Sequence, residues 1–394
     1  MPDKDAARPS LFSALSLRRI TTSGTYIPEI DGLRFIAITS VVLYHVPIQI
    51  ALRTSQEVAS NPIWRLISQG KRGVELFFLI SGFILGMPFA AHLLVGRKAV
   101  RLKEYFLRRV TRLEPPYILA ILIRLPLLLL VMHKPVQDVL THGLASLFYL
   151  HSLIFGSISS INPPAWSLEV EIQFYCLAPL FAWCYFALRP PWLRRFLGLA
   201  FILAAGILQL HFLGSEYDSR ASLSILDFAQ YFFSGFLLCD LYLTSWDRIP
   251  RHWAWDALSA VCWLWIFAAQ GSQVHTLLPV AALIAYVGAF KGVVFPRFFR
   301  LTWVSILGGM CYSIYLTHNL AITAVEFVFR RLFASPGLPA WERTSIAYAA
   351  TIPAVLAVGL LLYMLVERPC MDKNWPAKLW RRLRAGKSPA IAVP

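Results

Sequence analysis

The sequence is poor in charged residues, which make up only 15% of its 394 residues. Soluble domains carry about 25%. Hydrophobic residues account for 57% of the chain, and the mean hydropathy is +0.59. These values exclude an ordinary soluble globular domain and predict an all-α, polytopic transmembrane helical bundle.

Cysteine is also scarce, and its spacing shows no pairing. The six cysteines lie at positions 176, 184, 239, 262, 311 and 370, in or beside apolar stretches. Neither a disulfide framework nor a metal site is indicated, and we expect no metal. A cleavable signal peptide is missing too, because residues 1–28 are polar and contain no apolar core. We therefore expect the first span to be an uncleaved anchor.

Acidic residues are fewer than basic ones, and the net charge is +16. In a soluble protein this excess would suggest nucleic acid as a partner. Here the Lys and Arg residues cluster between apolar stretches, as the positive-inside rule expects of a membrane protein. We therefore predict a lipid bilayer and no nucleic acid as partner, and the sequence does not indicate an oligomeric state.

Ten apolar stretches are long enough to cross a bilayer, which takes about 20 residues. They lie at residues 32–50, 73–95, 115–132, 166–188, 195–213, 223–243, 253–270, 274–291, 302–329 and 345–366. An eleventh candidate, residues 143–155, is too short and is interpreted as re-entrant or interfacial. Only the count of ten places most Lys and Arg on one side, which predicts that both termini are cytoplasmic. Residues 1–28 and 369–394 are then cytoplasmic tails of a membrane domain at 29–368.

The first apolar stretch, DGLRFIAITSVVLYH, contains three ionisable residues, namely Asp31, Arg34 and His45. Such groups cost several kcal/mol inside a membrane unless they meet water or a partner, and they commonly mark function. Arg34 and His45 are eleven residues apart, so they lie within about 20° of each other on a helix and roughly 16 Å apart along it. We expect all three on one helix face, although Asp31 also fits a helix cap.

The most basic stretch, AVRLKEYFLRRVTRLEPPY, follows the second span. The spacing of Arg108, Arg109 and Arg112 predicts one guanidinium face on a short interfacial helix that Pro115 and Pro116 end. Guanidinium groups suit phosphates because they bind bidentately and stay charged. The alternative is that the cluster only fixes topology or contacts anionic lipid.

The fourth span begins with NPPAWSLEVEIQFY, which carries two glutamates. Ser167, Glu171 and Tyr175 are spaced to share one helix face, whereas Glu169 points about 200° away from Glu171. Glu171 is a candidate acid, base or histidine partner. For Glu169 we favour a wet interface.

Three further spans contain polar residues of interest. In GVELFFLISGF, Glu75 is expected at the outer rim, and Ser81 lies two turns further in. Ser81 and the glycine after it fit close helix packing better than nucleophilic chemistry, because no GxSxG elbow surrounds them. His318 is expected in the outer half of the ninth span, where packing is as plausible as catalysis. Arg124 in the third span needs a partner that the sequence does not identify.

Six stretches together resemble the ordered signatures of the acyltransferase-3 family of integral membrane acyltransferases. They are DGLRFIAITSVVLYH, GVELFFLISGF, FLRRVTRLEPPY, WSLEVEIQFY, CYSIYLTH and the closing ERP at 367–369. The resemblance implies transfer of an acyl group, often acetyl, from cytoplasmic acyl-CoA to a hydroxyl of a polysaccharide, lipid-linked sugar or other glycoside. By motif, the essential arginine and histidine of the family fall on Arg34 and His45, and its Arg-x-x-Arg pair falls on Arg109 and Arg112.

The chain departs from the family pattern at three positions. Ile172 stands where a second glutamate is common, Glu75 replaces the usual aspartate, and Thr317 replaces a frequent tryptophan. The first departure weakens any mechanism that needs two adjacent acids. We also expect no C-terminal esterase-like domain, which some members of the family carry.

Topology and resemblance together predict a membrane-crossing acyl-transfer cavity in a bacterial cytoplasmic membrane. Acyl-CoA phosphates would bind the three clustered arginines. His45 would act as base, Glu171 would orient it, and Arg34 or a helix end would stabilise the oxyanion. Direct transfer and an acyl-histidine intermediate both remain open. The alternative function is a proton-coupled transporter, because intramembrane His, Arg and Glu also mark proton relays.

Overall fold

The structure is a computed structural model that describes Leu17 and residues 26–49, 62–213, 219–271, 274–333, 339–372 and 374–377. Within these ranges every regular element is helical, which confirms the predicted all-α class. The α-helices are α1 (Pro28–Gln49), α2 (Pro62–Ser68), α3 (Gly73–Val95), α4 (Leu102–Pro126), α5 (Val136–Leu147), α6 (His151–Phe155), α7 (Trp166–Phe186), α8 (Pro191–Leu208), α9 (Ile225–Thr244), α10 (Trp253–Ala268), α11 (Val274–Lys291), α12 (Phe295–Phe299), α13 (Thr302–Gly309), α14 (Cys311–Phe333), α15 (Ala340–Leu362) and α16 (Arg368–Cys370).

Among the described residues, six helical segments are long and apolar enough to cross a membrane. They are Pro28–Gln49, Ile63–Val95, Leu102–Val131, Pro191–Phe212, Val274–Lys291 and Trp341–Cys370. The other four predicted spans fall on α7, α9, α10 and the pair α13 and α14. The chain is therefore a multi-pass helical membrane bundle. The count of ten spans and the cytoplasmic termini stay predictions.

Helix α4 contradicts the predicted short interfacial helix, because it runs without a break through Pro115 and Pro116. A proline at 115 removes the N–H donor that would bond to the carbonyl of Thr111 four residues earlier. The indole Nε1 of Trp375 donates to that carbonyl oxygen at 2.9 Å. A distant side chain thus satisfies the group that proline leaves free, as membrane helices commonly arrange.

The predicted ninth span is also interrupted, because α13 ends at Gly309 and α14 begins at Cys311. Close packing of α13 against α1 accompanies the interruption. A Cβ atom on Gly308 would lie 1.7 Å from the carbonyl oxygen of Asp31, so only glycine allows this contact.

Helices α3 and α9 also touch through glycine. A Cβ on Gly82 would lie 2.2 Å from the carbonyl oxygen of Phe232, and one on Gly235 would lie 2.4 Å from that of Leu79. Small residues permit such close approach of membrane helices. The packing role predicted for the glycine after Ser81 is therefore confirmed.

Residues 143–155 do not form an eleventh span. They lie in α5 and α6, helices of 12 and 5 residues, which are too short to cross. Helix α5 packs against α4, and the hydroxyl of Tyr117 in α4 donates to the carbonyl of Ser146 in α5 at 2.6 Å. At the turn, the ring of Tyr149 stacks on that of Tyr117 with centroids 4.4 Å apart. This arrangement supports the re-entrant interpretation.

Candidate active site

Helices α1 and α14 bring two histidines together. The ring centroids of His45 and His318 are 4.9 Å apart, with the ring planes inclined at 67°. His318 is fully buried, whereas His45 is half-buried. The structure thus joins two residues that the sequence could only place at similar depth.

Backbone contacts define the tautomer of both rings. Nδ1 of His45 lies 2.8 Å from the carbonyl oxygen of Val41, and Nδ1 of His318 lies 2.7 Å from that of Tyr315. A carbonyl oxygen only accepts, so in each neutral ring Nδ1 donates and Nε2 keeps its lone pair. Nε2 of His318 is buried and has no hydrogen-bond partner among the described residues. The lone-pair nitrogens are therefore the atoms suited to accept a proton.

Arg124 supplies a buried positive charge beside this pair. Its guanidinium donates to the carbonyl of Ile161 at 2.9 Å and to Oδ1 of Asn319. Asn319 directly follows His318 in α14. The partner that the sequence could not identify for Arg124 is therefore an amide next to the candidate catalytic ring.

Between the histidine pair and Arg109, helix α7 contributes a row of polar groups. The hydroxyls of Ser167 and Tyr315 lie 2.6 Å apart. One turn further along α7, Oε1 of Glu171 accepts from the hydroxyl of Ser81 at 2.5 Å, and Glu171 also hydrogen-bonds Tyr175. These contacts do not support the expectation that Glu171 orients the ring of His45.

Arg109 lies at the inner end of this row. Its guanidinium carbon stands 3.6 Å from the ring centroid of Tyr105 and 5.6 Å from that of Tyr175. One N–H donates to the carbonyl of Tyr105, whereas the buried Nε has no hydrogen-bond partner within the described part of the chain. Arg109 therefore has a donor available for an anionic ligand.

Arg112 connects the basic motif to the closing ERP motif. Its guanidinium lies 4.0 Å from the carboxylate of Glu367, which is completely buried. That carboxylate accepts from both the backbone N–H and the hydroxyl of Ser313, at 3.1 and 2.6 Å. Three of the sequence motifs thus meet at this point of the bundle.

The predicted common face of the three arginines is wrong. Arg108 is exposed, and its Nε donates to the carbonyl of Glu104 in the preceding turn. Adjacent helical residues point about 100° apart, so Arg109 turns inward while Arg108 turns outward. Only Arg109 and Arg112 face the interior.

Asp31 and Arg34 form a buried ion pair of 2.6 Å at the start of α1. Helix α1 begins at Pro28, so Asp31 lies inside the first turn and is not the cap. Arg34 is about 16 Å from His45 along the helix axis. It is therefore too far away to stabilise an oxyanion formed at that ring.

Two glutamates, one expected at the outer rim and one at a wet interface, are buried. Glu75 is 3% exposed and Glu169 is 1% exposed. Oε2 of Glu169 accepts from the backbone N–H of Ser152 at 2.8 Å, because helix α6 folds back over this part of α7. Hydrophobicity alone could not reveal that covering segment.

The described residues contain no group of three or more His, Cys, Asp or Glu side chains that could hold a metal ion. Their chemistry is that of lone-pair imidazole nitrogens, hydroxyls, carboxylates and guanidinium groups. Such a set can accept protons, bind anions and stabilise developing negative charge.

Comparison with known proteins gives a consistent picture. A family model described as an acyltransferase domain matches residues 27–364. The chain is 29% identical over 331 residues to the exopolysaccharide production protein ExoZ of Rhizobium meliloti (strain 1021), covering 80% of this chain and 93% of ExoZ. It is also 29% identical over 167 residues to the O-acetyltransferase OatA of Staphylococcus aureus (strain NCTC 8325 / PS 47), covering 40% of this chain and 25% of OatA. No solved structure matches.

Proposed function

This chain belongs to the acyltransferase-3 family, and from that premise we propose that it moves an acyl group from cytoplasmic acyl-CoA to a glycan hydroxyl. Membership of this family makes the chain a multi-pass membrane O-acyltransferase. The donor, the acceptor and a bacterial cytoplasmic membrane are parts of the proposal. The family match favours acyl transfer over the alternative of a proton-coupled transporter.

One observation carries the proposal, namely a row of polar groups, one helical turn apart on α7, between the histidine pair and Arg109. From His318 the series passes through Tyr315 and Ser167 to Glu171, and from there to the tyrosines that hold Arg109. Along α7 it extends about 12 Å from Ser167 to Tyr175. A series of this kind suits a donor that binds at one end and reacts at the other.

The donor end of the series fits an anion. Arg109 presents a buried N–H donor, and Arg112 lies close by with 29% of its side chain exposed. Both suit the phosphates of CoA, although the exposed Arg108 does not share their position. We assign Arg34, at the predicted cytoplasmic end of α1, to the donor entrance instead of the reacting carbonyl.

The acceptor is proposed from the relatives. ExoZ is named for exopolysaccharide production and OatA for O-acetyl transfer. These names support an acetyl donor and a polysaccharide or related glycoside as acceptor.

The reaction follows from the tautomer of the histidines. As the acceptor oxygen attacks the thioester carbonyl, its proton passes to Nε2 of His45, the C–S bond breaks, and the CoA thiolate takes the proton. His45 is the base in this scheme because it is the more exposed ring. In the two-step variant, Nε2 itself attacks the thioester and the acyl-histidine then meets the hydroxyl. The Arg124 charge would stabilise the oxyanion in either case.

Replacing the base tests the proposal. We expect His45→Ala to lower acetyl transfer from radiolabelled acetyl-CoA to glycan by at least about a hundredfold, the usual contribution of a positioned base. His211→Ala is a matched control, because His211 makes the same Nδ1 contact with a helix carbonyl but is exposed. Full activity of His45→Ala in membranes, at wild-type protein level, would refute the assignment.

A further inference from the structure

A separate cleft of about 270 Å³ opens at the other end of α1 from the histidine pair. Glu29 lies in its wall, about 24 Å along the helix axis from His45. With the predicted topology the cleft faces the cytoplasm. Its walls combine four aromatic and three basic side chains, namely Tyr26, Tyr242, Trp246, Phe290, Arg251, Lys291 and Arg300.

The aromatic residues form a rigid wall. The Trp246 ring centroid lies 5.1 Å from that of Tyr242 and 5.5 Å from that of Phe290. Mutually packed rings lose little freedom when a planar ligand stacks on them, and each presents a π face. The wall therefore suits a flat aromatic ligand.

The basic residues give the cleft a positive charge. Lys291 is only 9% exposed; its Nζ donates to the carbonyl of Trp246 at 2.5 Å and lies 4.7 Å from that ring centroid. Arg300 pairs with Glu29 at 2.5 Å, and Glu29 is the one acidic side chain among the described residues of the lining. Arg251 is exposed at the mouth. Three cations against one carboxylate leave a net attraction for anions.

The cleft lies in the same half of the bundle as Arg109. Phe83 of α3 packs edge-on against Tyr242, with centroids 5.6 Å apart. Phe89, about 9 Å further along α3, packs against Tyr105, which carries the Arg109 guanidinium on its face. One helix thus connects the cleft with the candidate donor site.

We propose that this cleft binds a phosphorylated purine nucleoside, namely the adenine-nucleotide end of the acyl donor. The base would stack on Trp246 while the ribose 3′-phosphate meets Arg251 and Lys291, which leaves the diphosphate for Arg109 and Arg112. The volume is just below the roughly 300 Å³ of the smallest whole-ligand pockets, which fits one end of a long molecule. The inference rests on the proposed function, because only an acyl-CoA donor brings such a group to this enzyme.

Binding of adenosine 3′,5′-bisphosphate to the full-length protein in phosphatidylcholine nanodiscs tests this assignment. We expect Arg251→Glu to weaken binding about tenfold or more, since it removes a charge-assisted contact and adds repulsion. The matched control is Arg248→Glu, an exposed arginine of the same connection that is not part of the lining. Trp246→Leu is expected to weaken the bisphosphate more than inorganic pyrophosphate.

The outcomes separate the cleft from the reaction. If wild-type protein acetylates glycan from acetyl-CoA but the two arginine variants bind the bisphosphate equally well, the cleft assignment alone is overturned. If Arg251→Glu changes only the response to phosphatidylglycerol in the nanodisc, the cleft takes a lipid headgroup and the nucleotide assignment is again overturned. If wild-type protein neither binds the bisphosphate nor uses acetyl-CoA, the proposed donor itself fails.

Discussion

Ser81 shows how one hydrogen bond separates two chemical roles. Its hydroxyl donates to the Glu171 carboxylate at 2.5 Å, so among the described residues its partner is a carboxylate and not a histidine. A serine nucleophile needs an adjacent general base such as histidine. The contact therefore favours a positioning role for Ser81, with Glu171 held between it and Tyr175.

Substitution of Ser81 distinguishes these roles. We expect Ser81→Ala to lower the rate of acyl transfer about tenfold, because one hydrogen bond to a charged group is lost while the site stays intact. Ser40→Ala is the control, since Ser40 is similarly buried and its hydroxyl donates to a helix carbonyl at 2.9 Å. Steady-state kinetics on both variants measure the effect; a complete loss of turnover in Ser81→Ala would instead identify a nucleophile.

The sequence identified most candidate residues but not the groups to which they are hydrogen-bonded. His45, His318, Arg109 and Glu171 could be chosen because ionisable groups in apolar spans need a reason. The pairing of Arg124 with Asn319 could not be predicted, since the two residues are separated by 195 positions. The burial of Glu169 could not be predicted either, because its hydrogen-bond donor, Ser152, lies in a different helix.

Helix α4 continues through Pro115 and Pro116, where the sequence predicts that a helix ends. Two adjacent prolines are normally read as a helix end, because they remove donors and restrict the preceding residue. The structure replaces one lost donor by the indole of Trp375, which lies far along the chain. Apolar stretches therefore predicted the helical class of the bundle, whereas the helix boundaries depended on contacts between distant residues.

A double substitution tests that explanation. We expect Trp375→Phe to destabilise the folded protein by about 1–3 kcal/mol, since the carbonyl of Thr111 loses its donor. Adding Pro115→Ala restores a backbone N–H to the same carbonyl and is expected to recover most of the loss. Thermal unfolding in detergent, followed by intrinsic fluorescence or circular dichroism, gives the comparison. Additive effects of the two changes would mean that the indole contact does not stabilise α4.

For the whole molecule, the orientation in the membrane decides which end meets acyl-CoA. The excess of Lys and Arg between alternate spans predicts cytoplasmic termini. With that orientation the connection after α3 is cytoplasmic and the connection before α7 is on the outer side. The histidine pair then lies nearer the outer surface, and the aromatic and basic cleft faces the donor.

Cysteine labelling in intact cells checks this orientation. In a chain without its native cysteines, Ser160→Cys is expected to react with a membrane-impermeant maleimide. Lys98→Cys is expected to react only after permeabilisation. Both positions are exposed in the structure, so burial does not explain a difference between them. The reverse pattern would invert the proposed route of the acyl group.

The two short helices α5 and α6 bear on the order in which the chain is assembled. Helix α5 is too short to be retained in a bilayer by its own length, and the α6 backbone at Ser152 is bound by a glutamate of the later helix α7. We therefore expect the hairpin to reach its final position only after α7 has been inserted. Biogenesis of this enzyme would then proceed by the late docking of an earlier segment, not strictly from one end to the other.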